Sequence, residues 1–326
     1  MKKLLALTLM ILLVVSMVAC NNNQGNNNNE TPAVESLKLG LGTVVSASSS
    51  KLEVNVSYAA VLLDKDGKIV DCEIDTVSAT AKLAGGVLTL PEKVETKGEK
   101  GDAYNMKGTS GIGKEWYEQV NALEDYCIGK TLAEVKGIAI GDDGKATDAT
   151  IKSFATMAIS DLVDAVEAAC GNAKDLGTKT GDTLKLASQT SVASSKNAEE
   201  GVNGSFAVTT DISALTVDKD GKVTAATIDT ADLKVAFDAA DTITVPSDLR
   251  TKGQKGDEYN MKKVSSIGKE WYEQVKGFCA YITGKTASEI AGIAMGDDGK
   301  TTDADLLASA TMAVAQYQTL VAKALK

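Results

Sequence analysis

From Leu52 to Leu63 apolar and polar residues alternate and several are β-branched, the pattern of a strand with a buried face. Asp64-Lys65-Asp66-Gly67 follows as a turn, and Lys68 to Ile74 reads as the returning strand of a hairpin. Phe206 to Val217 and Lys222 to Ile228, joined by Asp218-Lys219-Asp220-Gly221, repeat that arrangement. Elsewhere the period changes. Trp116, Val120, Leu123 and Cys127 are spaced i, i+4, i+7, i+11, an amphipathic helical stripe, and Trp271, Val275, Phe278 and Ile282 match it. Ser110 and Ser265, just upstream, are the candidate N-caps of these helices. Short helices are predicted after Thr131 and Thr286, and closing helices over Ser160 to Ala169 and Gln316 to Leu325.

These parallels extend to the residues themselves. TKGEKGDAYNMKGTSGIGKEWYEQV begins at Thr96, and TKGQKGDEYNMKKVSSIGKEWYEQV begins at Thr251, 155 residues on. The same offset carries Gly129-Lys-Thr to Gly284-Lys-Thr and the Gly141 GDDGK segment to Gly296; upstream it slips by one, Asp64 matching Asp218. A period this long is a domain-sized unit rather than a solenoid repeat. The expected organisation is one repeat domain over 36–172, a junction over 173–181 in the polar, Gly-containing stretch near Gly171 to Gly181, and a second repeat domain over 182–326. The expected class is α+β, two tandem homologous domains, each of antiparallel hairpin strands packed against helices. Whether the copies face each other or hang independently is open at this level.

The N-terminus reads differently. Lys2 and Lys3 precede an unbroken apolar or small-residue run from Leu4 to Val18, shorter than the about 20 residues a membrane-spanning helix needs. It fits a signal peptide. Met17-Val18-Ala19-Cys20 resembles the lipobox cut by the lipoprotein signal peptidase, which implies lipidation of Cys20 and a place on the extracytoplasmic face of a bacterial membrane. Residues 21–35 open with an almost pure Asn tract and read as a flexible stalk. The formal net charge is −10, and −12 without Lys2 and Lys3. That balance argues against nucleic acid and against electrostatic attraction to anionic lipid; the membrane partner is met through the N-terminal lipid.

Histidine is absent. Ser-His-Asp and Cys-His catalysis and His metal ligands therefore go with it, and no nucleophile–base pair is visible, so no catalytic residue and no metal ligand is assigned. Cys72, Cys127, Cys170 and Cys279 match no CxxC or zinc spacing, and none recurs at an equivalent place in the other copy. They read as small buried apolar residues, with room for one disulfide and no indication of which are paired. Asp64-Lys-Asp-Gly lacks the ligand spacing of a calcium loop and reads as a hairpin turn. Gly108 to Lys114 has the G-x-x-x-x-G-K spacing of a phosphate loop, but Glu115 follows where Ser or Thr is needed, and Lys263 replaces Gly108 in the second copy. What remains is a tight turn into a helix, where the N–H groups near Gly113 and Gly268 could receive an anion.

The segments before the closing helices carry a further pattern. They run Thr150-Ile-Lys-Ser153-Phe154-Ala155-Thr156 and Asp305-Leu-Leu-Ala308-Ser309-Ala310-Thr311. Both resemble the flavinylation motif Asp-x-x-Ser/Thr-Gly-Ala-Thr/Ser of the FMN-binding domain family, found in Rnf and Nqr electron-transport subunits and in surface flavolipoproteins. That family also shows a strand-turn-strand with Asp-Gly-Lys, a middle region with Tyr, Met and a helix, and a short helix after the motif, so the resemblance covers most of each copy. It implies FMN as cofactor, attached by a separate flavin transferase to the last Thr, here Thr156 or Thr311. It further implies Ser153, Asp305 and Ser309 as motif positions around that cofactor. Neither copy is complete: the Gly is Phe154 or Ser309, the leading Asp is Thr150 in one copy, and the Ser/Thr is Ala308 in the other.

Two readings follow from these residues. One is an envelope ligand-binding or structural module with a degenerate motif and no certain cofactor. The other is an extracellular flavin-based electron carrier with FMN in the second copy and a redox partner that the residues do not name. Either is a carrier or binder rather than a hydrolase or transferase. Flavin or another small molecule is the ligand class implied.

Overall fold

Long strands here have two different neighbours, one on each face, and this organises everything else. The computed structural model describes residues 34–326. The leader, Cys20 and the Asn-rich stretch through residue 33 lie outside the described residues. In the first copy, β1 (Ser36–Ala47), β2 (Glu53–Leu63) and β3 (Ile69–Thr80) form an antiparallel meander, followed by a small hairpin of β4 (Lys82–Ala84) and β5 (Val87–Thr89). Then come α1 (Lys97–Lys100), α2 (Trp116–Cys127), α3 (Leu132–Lys136), α4 (Ala149–Lys152) and α5 (Ser160–Asn172). Next, β6 (Lys174–Lys179) returns to the free edge of β1, giving the order β3-β2-β1-β6. The second copy repeats the plan with β7 (Thr183–Ser191), β8 (Gly204–Val217), β9 (Val223–Phe237) and β10 (Ile243–Thr244), in the order β10-β9-β8-β7. Its helices are α6 (Lys252–Lys255), α7 (Trp271–Ile282), α8 (Ala287–Ala291), α9 (Ala304–Leu307) and α10 (Ala315–Ala324). The class is α+β.

Alternation along β2 shows the layering. Val54, Val56, Tyr58, Ala60 and Leu62 point one way, into a core shared with Phe206, Val208, Ile212, Val235 and Phe237 of the second copy. Ala59, Val61 and Leu63 point the other way, onto Trp116, Val120, Leu123 and Val166 of the first copy's own helices. A matching cluster joins Leu215, Val223 and Ile228 to Trp271, Phe278 and Leu320. The two sheets therefore face each other, with helices outside both. The turns at Asp64 and Asp218 are closed by the carboxylates themselves: each Oδ1 accepts two backbone N–H groups at 2.9 Å.

Directed contacts fasten the copies together. Tyr58 Oη and Ser188 Oγ lie 2.7 Å apart in the shared core. Gln254 donates to the Thr43 carbonyl at 2.9 Å, and its counterpart Glu99 pairs with Lys323, which also donates to the Ser188 carbonyl at 2.6 Å. The Asp241 carboxylate accepts the N–H groups of Gly85 and Gly86, at 2.9 and 2.7 Å, holding the β4–β5 hairpin.

Several sequence expectations change. β1 and β7 are strands that the hairpin pattern did not mark, and β3 and β9 run past Ile74 and Ile228 because their later residues, such as Val77 and Val235, turn into the shared core. Residues 174–179, expected within a junction, are a paired strand. Ser110 and Ser265 do not cap helices. The N-caps of α2 and α7 are Glu115 and Glu270, each in a reciprocal capping box with the glutamate three residues on.

One buried carboxyl yields a pH prediction. Asp211 is 7% exposed on the helix-facing side of β8 and accepts the Thr230 hydroxyl at 2.5 Å; the first copy has the neutral Ser57–Thr76 pair there. Burial raises its pKa, with the Thr230 hydrogen bond acting against the shift. A raised carboxyl pKa favours the protonated folded state, so its stability contribution is present below the unfolded value and is lost as pH rises through the folded one. Asp211→Asn should therefore unfold at a higher temperature than the parent at pH 7, with the gap closing near pH 3. A gap independent of pH in thermal melts would refute this.

Candidate functional site

The motif-like segments form an irregular loop between a one-turn helix and the closing helix. Asp148 and Asp303 cap that turn: Asp148 Oδ1 accepts the N–H groups of Thr150 and Ile151, and Asp303 Oδ1 those of Asp305 and Leu306 at 3.0 Å. Backbone hydrogen bonds, that from Leu306 foremost, and the Tyr281 hydroxyl hold the Asp303 carboxyl below its usual range. Asp305 and Thr150, the leading motif positions, are exposed on the first turn. Ser153 is exposed, and its hydroxyl donates to the Thr150 carbonyl at 2.6 Å. Ser309 is half-buried and donates to the Leu306 carbonyl at 3.1 Å. Ala155 and Ala310 are buried, so the following Thr156 and Thr311 sit half-buried at the bend. Thr156 and Thr311 lie on no strand, since residues 155–159 and 310–314 belong to none.

What positions the bend is a glutamine from the helix beneath. Gln119 and Gln274 are 0% and 1% exposed. Each side-chain carbonyl accepts the threonine N–H at 2.9 Å, and in the second copy it also receives the Met312 N–H at 3.2 Å and lies 3.4 Å from the Thr311 hydroxyl. Each side-chain NH2 donates to the loop before the helix: to the Lys114 or Lys269 carbonyl and to the Ser110 or Ser265 hydroxyl, all at 3.2 Å. One buried amide thus ties the P-loop-like turn to the flavin-motif-like bend. Glu115 holds the chain leading into the turn, accepting the Met106 and Lys107 N–H groups at 2.8 and 3.0 Å, and Glu270 does the same for Met261 and Lys262 at 2.9 and 3.1 Å. With two carboxylates already closing each capping box, the start of α2 or α7 is no place for an anion.

Sequence reasoning singled out the threonine bend and missed the glutamine. Its signal was present in retrospect: a polar residue repeated in KEWYEQV, on the same helix face as Trp116 and Leu123. The motif glycine's replacements are each accommodated differently. Phe154 packs on Tyr126 with ring centroids 5.7 Å apart. Ser309 lies where α7 offers Gly277, whose absent Cβ would stand 2.7 Å from the Ser309 Cβ; Ala122 holds that place in the first copy.

Two surface cavities lie elsewhere. One, of about 500 Å³, is bounded in the first copy by Asp75, Gly98, Trp116, Tyr117, Asn121 and Glu124. The other, of about 570 Å³, lies between Thr43 to Val45 and residues 247–254. Neither is lined by Thr156 or Thr311. Among the described residues no group of three or more Cys, Asp or Glu could hold a metal ion, and no helix is long and apolar enough to cross a membrane.

Over 126 residues the chain is 34% identical to a chlorophenol reductase of Desulfitobacterium hafniense, a match taking in 32% of this chain and 38% of that protein. The chain thus spans well under half of that relative's length. No protein-family model matches the chain, and no solved structure does.

Proposed function

We propose that this chain is a lipoprotein anchored through Cys20 to the outer face of a bacterial membrane, carrying tandem FMN-binding-like domains with degenerate flavinylation motifs. It acts there as a ligand-binding or structural module of the envelope. The observation that carries this reading is the closed bend. Gln274 takes up the Thr311 N–H and sits against its hydroxyl, Ser309 fills the space above Gly277, and Phe154 fills the matching place in the first copy. The bend finds its hydrogen-bond partners within its own chain, and a transferase would meet a side chain where its motif has glycine.

A second reading is favoured by the similarity to a protein named as a reductase. In it, FMN held in the second copy makes the chain a tethered electron carrier, the flavin supplying the redox chemistry and the protein its placement. One experiment separates the two. The full chain is expressed in a bacterium together with a flavin transferase, and membrane and soluble fractions are run on a denaturing gel. The module reading expects a membrane-bound band without flavin fluorescence, moved to the soluble fraction by Cys20→Ala. A fluorescent band that Thr311→Ala darkens would select the carrier instead. A parent chain found only in the soluble fraction would refute the anchor.

A further inference from the structure

Three of the four described cysteines, Cys72, Cys127 and Cys170, lie in the helix-facing core of the first copy. The contacts between β3 and the end of α2 bracket two of them. Ile69 donates to the Lys130 carbonyl at 2.9 Å and accepts the Gly129 N–H at 2.7 Å, while five residues on the Ile74 N–H reaches Glu124 Oε1 at 2.8 Å. Cys72 falls between the two strand anchors and Cys127 between the two helix anchors, 3% and 1% exposed. Both side chains are buried inside that frame, in one core cluster. The hydrogen bond they share, and then burial, push the Cys72 thiol up, while the same bond draws the Cys127 thiol down. Cys170 stands apart from this bond, its thiol raised to about 11 mainly by burial.

The second copy shows what the site looks like without sulfur. Cys72 corresponds to Ala226 and Cys127 to Ile282, both buried in the matching core. The fold therefore needs neither thiol for packing, and an alanine and an isoleucine serve the same ridge and groove. A facing pair present in one copy alone is an addition to the plan rather than part of it.

We propose that Cys72 and Cys127 are a disulfide site that staples β3 to the C-terminal end of α2 in the first copy. Closing it takes a small-molecule or protein disulfide as oxidant. The two thiols lose two electrons and two protons as the S–S bond forms, and the oxidant's S–S bond breaks to give two thiols. Thiols buried together across one strand–helix contact, bracketed on both sides by hydrogen bonds, reach the roughly 2.05 Å bond by side-chain rotation and small shifts. The crosslink closes a loop of more than fifty residues, long enough for an appreciable effect on the unfolded chain. The pair relies on the proposed export only for its oxidant, since disulfides persist in oxidising compartments.

The test is refolding of the full chain in a buffer of oxidised and reduced glutathione, then alkylation without reduction and trypsin digestion. The expected product joins peptide 69–82 to peptide 115–130, with Cys170 and Cys279 alkylated. A dithiol reductant should then lower the melting temperature by about 5–10 °C. Cys72→Ala, which copies the residue the second domain already uses, should fold and lose that sensitivity. Alkylation of both Cys72 and Cys127, linkage of either through Cys20, Cys170 or Cys279, or unchanged reductant sensitivity in Cys72→Ala would each overturn the assignment. Because the refolding is done outside the cell, these results judge the pair and not the compartment. A pair that links in the tube yet is fully alkylatable in protein taken from cells supports the site and counts against export.

Discussion

Gln274→Leu should destabilise the fold by about 3–4 kcal/mol, although leucine is apolar, similar in size and placed in a buried position. The carbonyl it removes accepts two backbone N–H groups, and the NH2 it removes donates to a carbonyl and a hydroxyl in the preceding loop. A buried polar group left without a partner costs roughly 1–3 kcal/mol. The half-buried bend lets water recover part of that, which holds the sum below a simple addition. For a chain of this size the melting temperature should drop by about 8–12 °C. Urea unfolding of the two proteins measures it. A loss below about 1 kcal/mol would mean that the amide does not hold the two loops together. Gln274→Glu should fall between, since it keeps the acceptor and loses both donors.

An effect at least as large is expected in β1. Gly40 and Gly42 lie against α5, and a Cβ on either would stand 2.0 Å from a backbone carbonyl oxygen, that of Ala169 or Ala165. Overpacking a core commonly costs about 1–3 kcal/mol because side chains can shift. Here the obstacle is helix backbone. Gly42→Val must lift α5 from the sheet and open the core that Val163 and Val166 share with Val61, so a loss of about 4 kcal/mol or more is expected, in the exceptional range for one substitution. Gly42→Ala should cost less and still exceed about 2 kcal/mol. Soluble yield and urea midpoints report both. Parent-like stability in the valine variant would show that α5 does not ride as close to β1 as this packing demands.

These two positions also show how far the sequence could be read. β2, β3 and α2 were legible because their periodicities, near 2 and near 3.6, are carried by side chains that each choose one face. β1 was not. In LKLGLGTVV the leucines alternate toward the shared core, but the opposite face carries a lysine and two glycines that serve a helix arriving more than a hundred residues later, so only a short stretch of one face is marked. The site divides the same way. The threonine bend could be found from a linear motif. Gln119 and Gln274 could not be assigned to it, because the separation of 37 positions from each glutamine to its threonine is bridged only once the closing helix has packed.

By itself the sequence determined the twice-written plan, the α+β class, the Asp-Gly hairpin turns and the lack of histidine chemistry. These are local or compositional properties, set by residues close together or by counts. Only the tertiary structure decided that the two sheets face each other over one core, that a strand after α5 returns to β1, and that a buried amide closes the bend around Thr156 and Thr311. It also brought Cys72 and Cys127 together. Each of those outcomes depends on which of two apolar faces meets which, and on polar groups finding partners far away in the chain, neither of which any single stretch of residues encodes.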